Sequence, residues 1–245
     1  GAGSSVTGAS LGKGIILDFS VHMRRASVLD DERVKVQPGV VLANLNQQLA
    51  KRNRIFGPDP ATRNVTTLGG TLAMNNCGSH WVVDGEPRDA VLKLKMVIGG
   101  GEVVEFVSQN HIAANEGFPS LRSQLLASRV RSILEHNAEL IEKYRPQTKV
   151  NQAGYNLFDL RHDQQLDLSR LLVGSEGTLG IITEATLGTK PIPQNRGVAL
   201  LFFERMELAA KAAVEIASTG VSASDLVDRR LLSLARESNP DLFRL

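Results

Sequence analysis

The 245 residues, 42% of them hydrophobic and 22% charged, suffice for one large domain or two small ones around an ordinary core. A formal net charge of +2 and the lack of any run of five like charges argue against nucleic acid or an anionic membrane as a partner, and no apolar run approaches the roughly 20 residues that span a bilayer. Cys77 is the single cysteine, which excludes a disulfide framework or a cysteine-rich metal site within these residues and points to a reducing, cytoplasmic setting.

The chain opens inside a glycine-rich loop, with Gly at 1, 3, 8, 12 and 14, and with neither an initiator Met nor a signal-like segment, so Gly1 reads as a cut boundary or as the start of an ordered part. Short apolar runs at Ile15 to Leu17, Val34 to Val36, Val40-Val41, Val91 to Ile98 and Val103 to Val107 predict strands. The last two flank Gly99-Gly100-Gly101 as a hairpin. Leu42, Leu45 and Leu49 set a helix over 42–52. A long helix after Pro119-Ser120 carries Leu121, Leu125, Val130, Ile133, Leu134 and Ile141 on one face. Leu179 to Leu187 predicts a strand that Pro191 and Pro193 end, with a domain boundary near 190–197. Beyond it come a strand over Val198 to Phe203, a helix over Met206 to Ser218, and a second helix over Ser224 to Glu237 capped by Ser224.

Three segments carry the candidate chemistry. Gly1, Ala2, Gly3, Ser4, Ser5 and Gly8 lie in a loop of small residues whose backbone N–H groups and hydroxyls suit an anion such as a pyrophosphate, and which is equally a surface turn. A nicotinamide-type fingerprint fits worse, because its third glycine would fall on Val6. The segment 56–78 has Pro58 and Pro60 stiffening its first turn, Gly69-Gly70 and Ala73 permitting close approach, and Thr66, Thr67, Asn75 and Asn76 as hydrogen-bonding partners for a polar ring. A loop leading into a buried helix explains its glycines but not its clustered small polar residues. The third segment, Leu171 to Thr183, is a glycine-rich turn entering an apolar strand.

In their order and spacing over about residues 1 to 193, the three segments resemble the FAD-binding domain of the vanillyl-alcohol oxidase and p-cresol methylhydroxylase superfamily. They most resemble the branch with the glycolate oxidase flavoprotein subunit, D-lactate dehydrogenase and D-2-hydroxyglutarate dehydrogenase. The resemblance implies an α+β fold: a two-lobed FAD-binding domain over 1–196 lacking its N-terminal part, then the beginning of a substrate or cap domain over 197–245. It implies that Gly1 to Gly8 cradle the FAD pyrophosphate. Pro58, Asp59, Thr66, Gly69, Gly70, Ala73, Asn75, Asn76 and Gly78 would line the flavin and its ribityl chain, and Glu176, Gly177, Gly180, Ile181 and Ile182 the adenosine side. Gly154-Tyr155-Asn156-Leu157 resembles a segment near the reactive face, so Tyr155 either hydrogen-bonds substrate or sits half-buried with its hydroxyl in solvent.

The implied reaction is hydride transfer from a 2-hydroxy acid to FAD, with electrons passed to an acceptor the sequence does not identify. The alternatives are a flavin-binding fragment with no turnover of its own and a nicotinamide-fed flavin reductase of the same fold. Residues 1–8 contain no His, the usual point of covalent flavin attachment in the superfamily, so FAD is expected to be held non-covalently. The family's proton acceptor and metal-binding histidines are expected beyond Leu245, so residues 1–245 alone are expected to oxidise no 2-hydroxy acid at a useful rate. His22, His80, His111, His136 and His162 show no ligand spacing, so no metal is expected here; His80, just after the 75–78 segment, is the least bland of them.

Overall fold

The structure, a computed structural model, describes residues 3, 8, 10–108, 120–162, 165–239 and 241, with only the backbone at 161, 162 and 165. In chain order the elements are β1 (Ala26–Val28), β2 (Arg33–Val36), α1 (Leu42–Ala50), β3 (Arg54–Ile55), α2 (Leu68–Met74), α3 (Trp81–Asp84), α4 (Pro87–Ala90), β4 (Val91–Ile98) and β5 (Val103–Val107). They continue with α5 (Leu121–His136), α6 (Ala138–Lys143), β6 (Arg161–His162), β7 (Gln165–Leu166), α7 (Leu168–Leu172), β8 (Gly180–Gly188), β9 (Lys190–Pro191), α8 (Met206–Ala217) and α9 (Arg229–Ser238).

Five strands pair in the order β1-β2-β8-β4-β5, every neighbouring pair antiparallel. Alternation along them puts Val34, Val36, Leu94, Met96, Ala185 and Leu187 into one core. Val36 lies opposite Ala185 and Val34 opposite Leu187, so the side chains stack on a shared face. Leu42, Leu45 and Leu49 of α1, Leu68 and Leu72 of α2, and Leu168, Leu171 and Leu172 of α7 complete that core. An antiparallel sheet with helices against it is the expected α+β class.

β8, last of the five strands in sequence, occupies the middle of the sheet. The turn at its start is thereby delivered to the end of α2, where the Gly174 N–H donates to Leu72 O at 2.9 Å.

Several expectations hold and others change. The hairpin at 99–101 forms, with Gly100 and Gly101 at φ +94° and +83°. Ile15 to Leu17 form no strand and stand exposed, and Val198 to Phe203 likewise; an apolar run becomes a strand only with a paired edge, and neither run has one among the described residues. Of Val40-Val41, only Val41 makes an isolated bridge, to Thr67. The first helix stops at Ala50 rather than Arg52.

The long helix breaks at Asn137 into α5 and α6, and its buried face differs from the expected one. Ser123, Ala127 and Leu134 are buried while Leu121, Leu125 and Ile133 are exposed, because small side chains let α5 approach the core closely. Ser120 is its N-cap as expected; Pro119 and His111 lie outside the described residues. The last helix starts at Arg229 instead of Ser224, since the Asp228 carboxylate accepts the Leu231 N–H at 2.7 Å.

Candidate functional site

The site is built around the C-terminal end of α2. A helix leaves its last carbonyls without internal partners. Here Leu72 O accepts from Gly174 N and Ala73 O from Glu176 N, both at 2.9 Å. Asn75 ends α2 in the left-handed conformation, φ 52°, fully buried. Its Oδ1 accepts the Arg88 N–H at 3.1 Å, and its carbonyl accepts from Gln152 Nε2 at 2.7 Å. Gln152 Nε2 also lies 3.3 Å from Cys77 Sγ. A Cβ on Gly174 would stand 3.3 Å from both Asn75 Cβ and Arg88 Nη2, so the turn and the helix end meet closely. Three stretches far apart in sequence, 67–78, 150–157 and 174–178, thus converge.

Beside this junction is a buried ion pair. Glu86 Oε2 lies 3.2 Å from Arg88 Nε, and Arg88 is almost wholly enclosed. Burial pushes the Glu86 carboxyl above the usual glutamate range, against the downward pull of Arg88 and Asn75. Burial also lowers the Arg88 guanidinium and raises the Cys77 thiol. Asn75 Nδ2, Glu86 Oε1 and Arg88 Nε lack a protein partner in full hydrogen-bond geometry, although Asn75 is near enough to influence Glu86.

On the outer side, Asp59 is tied to the α2 end through its N–H to Cys77 O at 3.0 Å and a parallel bridge to Gly78. Its Oδ2 lies 2.6 Å from His80 Nδ1 and 3.9 Å from Arg63 Nη1. Lys190, whose pKa burial lowers although Asp59 raises it, pairs with Asp84. In the 174–178 turn, Tyr155 Oη is 2.7 Å from Thr178 Oγ1, which donates to Ser175 O at 2.6 Å.

The remaining expected residues are placed as follows. Gly1, Ala2, Ser4 and Ser5 lie outside the described residues; Gly3 and Gly8 are left-handed, φ +66° and +76°, and bond within their own loop. Pro58 is buried, and Thr66 Oγ1 contacts Thr62 Oγ1 at 2.6 Å. Gly70 is the third residue of the first α2 turn, its N–H directed at Thr67 Oγ1, and Asn76 N–H donates to Thr71 O at 3.0 Å. Gly69 abuts Pro38, where a Cβ would fall 2.6 Å from Pro38 Cβ, and Gly180 abuts Val97 O, so packing alone demands both glycines. Ile182 is buried in the core and Ile181 is exposed. Glu86, Arg88, Thr178 and the Asp59–His80 pairing carry no signal in the sequence, because charged and polar residues read as surface until their neighbours are known.

Residues 1–106 match the family described as FAD binding domain. Over that stretch, less than half of its length, the chain is similar to FAD-binding domains of the p-cresol methylhydroxylase type. Among its relatives are 2-hydroxy-acid enzymes. It is 33% identical over 243 residues to D-2-hydroxyglutarate dehydrogenase of Pantoea ananatis, aligned over 97% of this chain and 24% of that protein. It is 30% identical over 247 residues to the mitochondrial D-lactate dehydrogenase [cytochrome] of Arabidopsis thaliana, covering 98% of this chain and 35% of the relative. With the glycolate oxidase subunit GlcD of Bacillus subtilis it shares 26% over 230 residues, 92% of this chain and 38% of the relative. The chain therefore spans about a quarter to two fifths of the length of these relatives.

The junction fits a cofactor of this kind. Glu176 and Gly177 are both left-handed and exposed, and a Cβ on Gly177 would meet nothing within 4 Å, which leaves backbone open to a ligand. Asn75 Nδ2, buried and without a partner in full hydrogen-bond geometry, lies at the same place. Among the described residues no three His, Cys, Asp or Glu side chains group as metal ligands, and no helix is long and apolar enough to cross a membrane.

Proposed function

We propose that this chain is the FAD-binding portion of a dehydrogenase or oxidase that moves a hydride from a 2-hydroxy acid, of the D-2-hydroxyglutarate, D-lactate or glycolate kind, to FAD. The observation that carries the reading is the convergence of 67–78, 150–157 and 174–178 on the end of α2, since the first and last of these stretches hold Gly69, Gly70, Ala73, Asn75, Asn76, Gly78, Glu176 and Gly177, all assigned to the cofactor. Residues 1–196 form the FAD-binding domain and 197–245 begin the substrate domain. When bound, FAD supplies the two-electron acceptor.

The chain's own residues hold and orient it. Gly1, Ala2, Gly3, Ser4, Ser5 and Gly8 offer amides and hydroxyls to the pyrophosphate; Pro58, Asp59, Thr66, Gly69, Gly70, Ala73, Asn75, Asn76 and Gly78 form the flavin side. Glu176, Gly177, Gly180, Ile181 and Ile182 form the adenosine side, with Ile182 contributing backbone because its side chain is in the core. FAD is held non-covalently, since the loop at 1–8 has neither His nor Cys. Tyr155 contacts substrate.

The test has two stages. Purified chain is loaded with FAD and precipitated with acid: yellow supernatant is expected, and colour held in the pellet defeats the non-covalent assignment. The loaded chain is then mixed anaerobically with (R)-2-hydroxyglutarate, D-lactate or glycolate. No bleaching at a useful rate is expected of this chain by itself; bleaching by one of them would put a proton acceptor within residues 1–245, and bleaching by NADPH alone would replace the reading with a flavin reductase.

A further inference from the structure

We propose that Gln152 and Tyr155 are positioning residues: they fasten residues 151–155 as a strap across the two stretches assigned to FAD, 67–78 and 174–178, and the strap slows departure of the cofactor. The proposal rests on the preceding reading of those two stretches as the FAD site, and adds to it a segment in which no residue is assigned to the cofactor.

The first anchor grips the end of α2. Gln152 Nε2 lies 2.7 Å from Asn75 O and 3.3 Å from Cys77 Sγ. An amide nitrogen carries two hydrogens, and here two acceptors face it, so the amide is held with its nitrogen toward α2. Asn75 is fully enclosed and Cys77 nearly so, whereas Gln152 itself is exposed. No other hydrogen bond of the described residues reaches Asn75 O, so loss of the Gln152 donor leaves a buried carbonyl without a protein partner. A glutamate of the same shape would set an acceptor against that carbonyl.

The second anchor grips the 174–178 turn. Thr178 donates its hydroxyl hydrogen to Ser175 O at 2.6 Å, so in the 2.7 Å contact between Tyr155 Oη and Thr178 Oγ1 the tyrosine is the donor. Between the anchors the chain turns sharply: Gly154 is left-handed, φ +70°, and the Asn151 side chain accepts the Ala153 N–H at 3.1 Å. Two side chains three residues apart thereby reach two stretches that are about a hundred residues apart in sequence.

The turn and the end of α2 are already joined directly by Gly174 N–H to Leu72 O and Glu176 N–H to Ala73 O, so the strap closes a ring of three stretches. Among the described residues no other hydrogen bond or ion pair ties 151–155 to the rest of the chain, and 152–155 are exposed up to the buried Asn156. A segment with so little buried surface opens at small cost, and its two anchors set how often it does. A ligand held by both stretches stays longer when they are kept in their bound arrangement in advance, because less ordering accompanies binding, and such effects appear mainly in the dissociation rate.

The test follows FAD release from the loaded chain by flavin fluorescence after dilution, with no substrate present. Gln152→Met, Tyr155→Phe and Thr178→Val are each expected to release FAD about 2- to 10-fold faster than the parent, the range for loss of one neutral hydrogen bond. Thr178→Ser, which keeps the acceptor, is expected to release it at the parental rate, and Tyr155→Phe with Thr178→Val to release it no faster than either alone. In the apo chain, Gln152→Met and Tyr155→Phe are expected to speed hydrogen exchange over 150–157 and to leave β4 unchanged. Parental release rates in Gln152→Met and Tyr155→Phe overturn the strap and leave the functional reading standing. Additive effects of the Tyr155 and Thr178 changes, or exchange that quickens equally in β4, also overturn it, since the side chains would then act separately or through the whole fold. A parent chain that binds no FAD overturns the functional reading and the strap with it.

Discussion

Gly78 and Gly177 share a left-handed backbone, φ +80° and +79°, but meet different surroundings. A Cβ on Gly78 would stand 2.4 Å from Asp59 C and 2.5 Å from Asp59 O, rigid backbone that is itself tied to Cys77. Gly78→Ala adds left-handed strain to overpacking and is expected to cost about 2–5 kcal/mol, read as a lowered denaturant midpoint at unchanged slope. A stability within experimental error of the parent would mean that the Asp59–Gly78 bridge is dispensable. At Gly177 a Cβ meets no atom, so Gly177→Val carries only the strain of its φ, about 1–3 kcal/mol. The expected result is a folded chain, by far-ultraviolet circular dichroism, that no longer retains FAD. Full flavin occupancy in the folded variant would remove the 174–178 turn from the site.

Among elements, those that the sequence made legible are those whose signal is local. Leu42, Leu45 and Leu49 mark α1 because helical spacing alone decides their burial, and the glycine triplet at 99–101 marks its hairpin through backbone freedom. Partnership was not legible: 15–17 and 198–203 have the composition of strands without an edge to join, and α5 buries Ser123 and Ala127 in preference to larger neighbours. The same holds for the site, whose glycine clusters are visible in sequence while the enclosed Glu86–Arg88 pair before β4 is not. That pair has a pH consequence. Because the folded chain raises the Glu86 pKa, it keeps a proton that the unfolded chain has released between the ordinary glutamate value and the folded one, so this group makes stability fall as pH rises through that interval. Glu86→Gln is neutral throughout and removes that slope, while leaving Arg88 unpaired and the protein less stable overall. Thermal melts from about pH 4 to about pH 7 should show a flatter decline for Glu86→Gln. Identical slopes would mean that Glu86 titrates normally.

Across the whole molecule, burial is distributed unevenly, and that sets where the chain can be cut. Leu42, Leu45 and Leu49 of α1 are each fully buried or nearly so, worth about 1.5–3 kcal/mol apiece, whereas α8 and α9 contain no buried residue. Between β9 and α8 the backbone from 194 to 205 is exposed and joins no strand, and Arg196 and Arg205 lie within it. A segment with little buried apolar surface opens at small free-energy cost, so protease is expected to cleave there well before it reaches the five-stranded sheet. Every described residue assigned to FAD lies before Lys190. Brief trypsin treatment of the FAD-loaded chain is therefore expected to cut at Arg196 or Arg205 and to leave an N-terminal product that still carries flavin through gel filtration. Mass spectrometry identifies the cut and absorbance follows the flavin. Cleavage first within 33–107, or loss of flavin in step with the cut at Arg196, would show that the region after the sheet helps to hold the cofactor and that a boundary near 196 divides the chain in the wrong place.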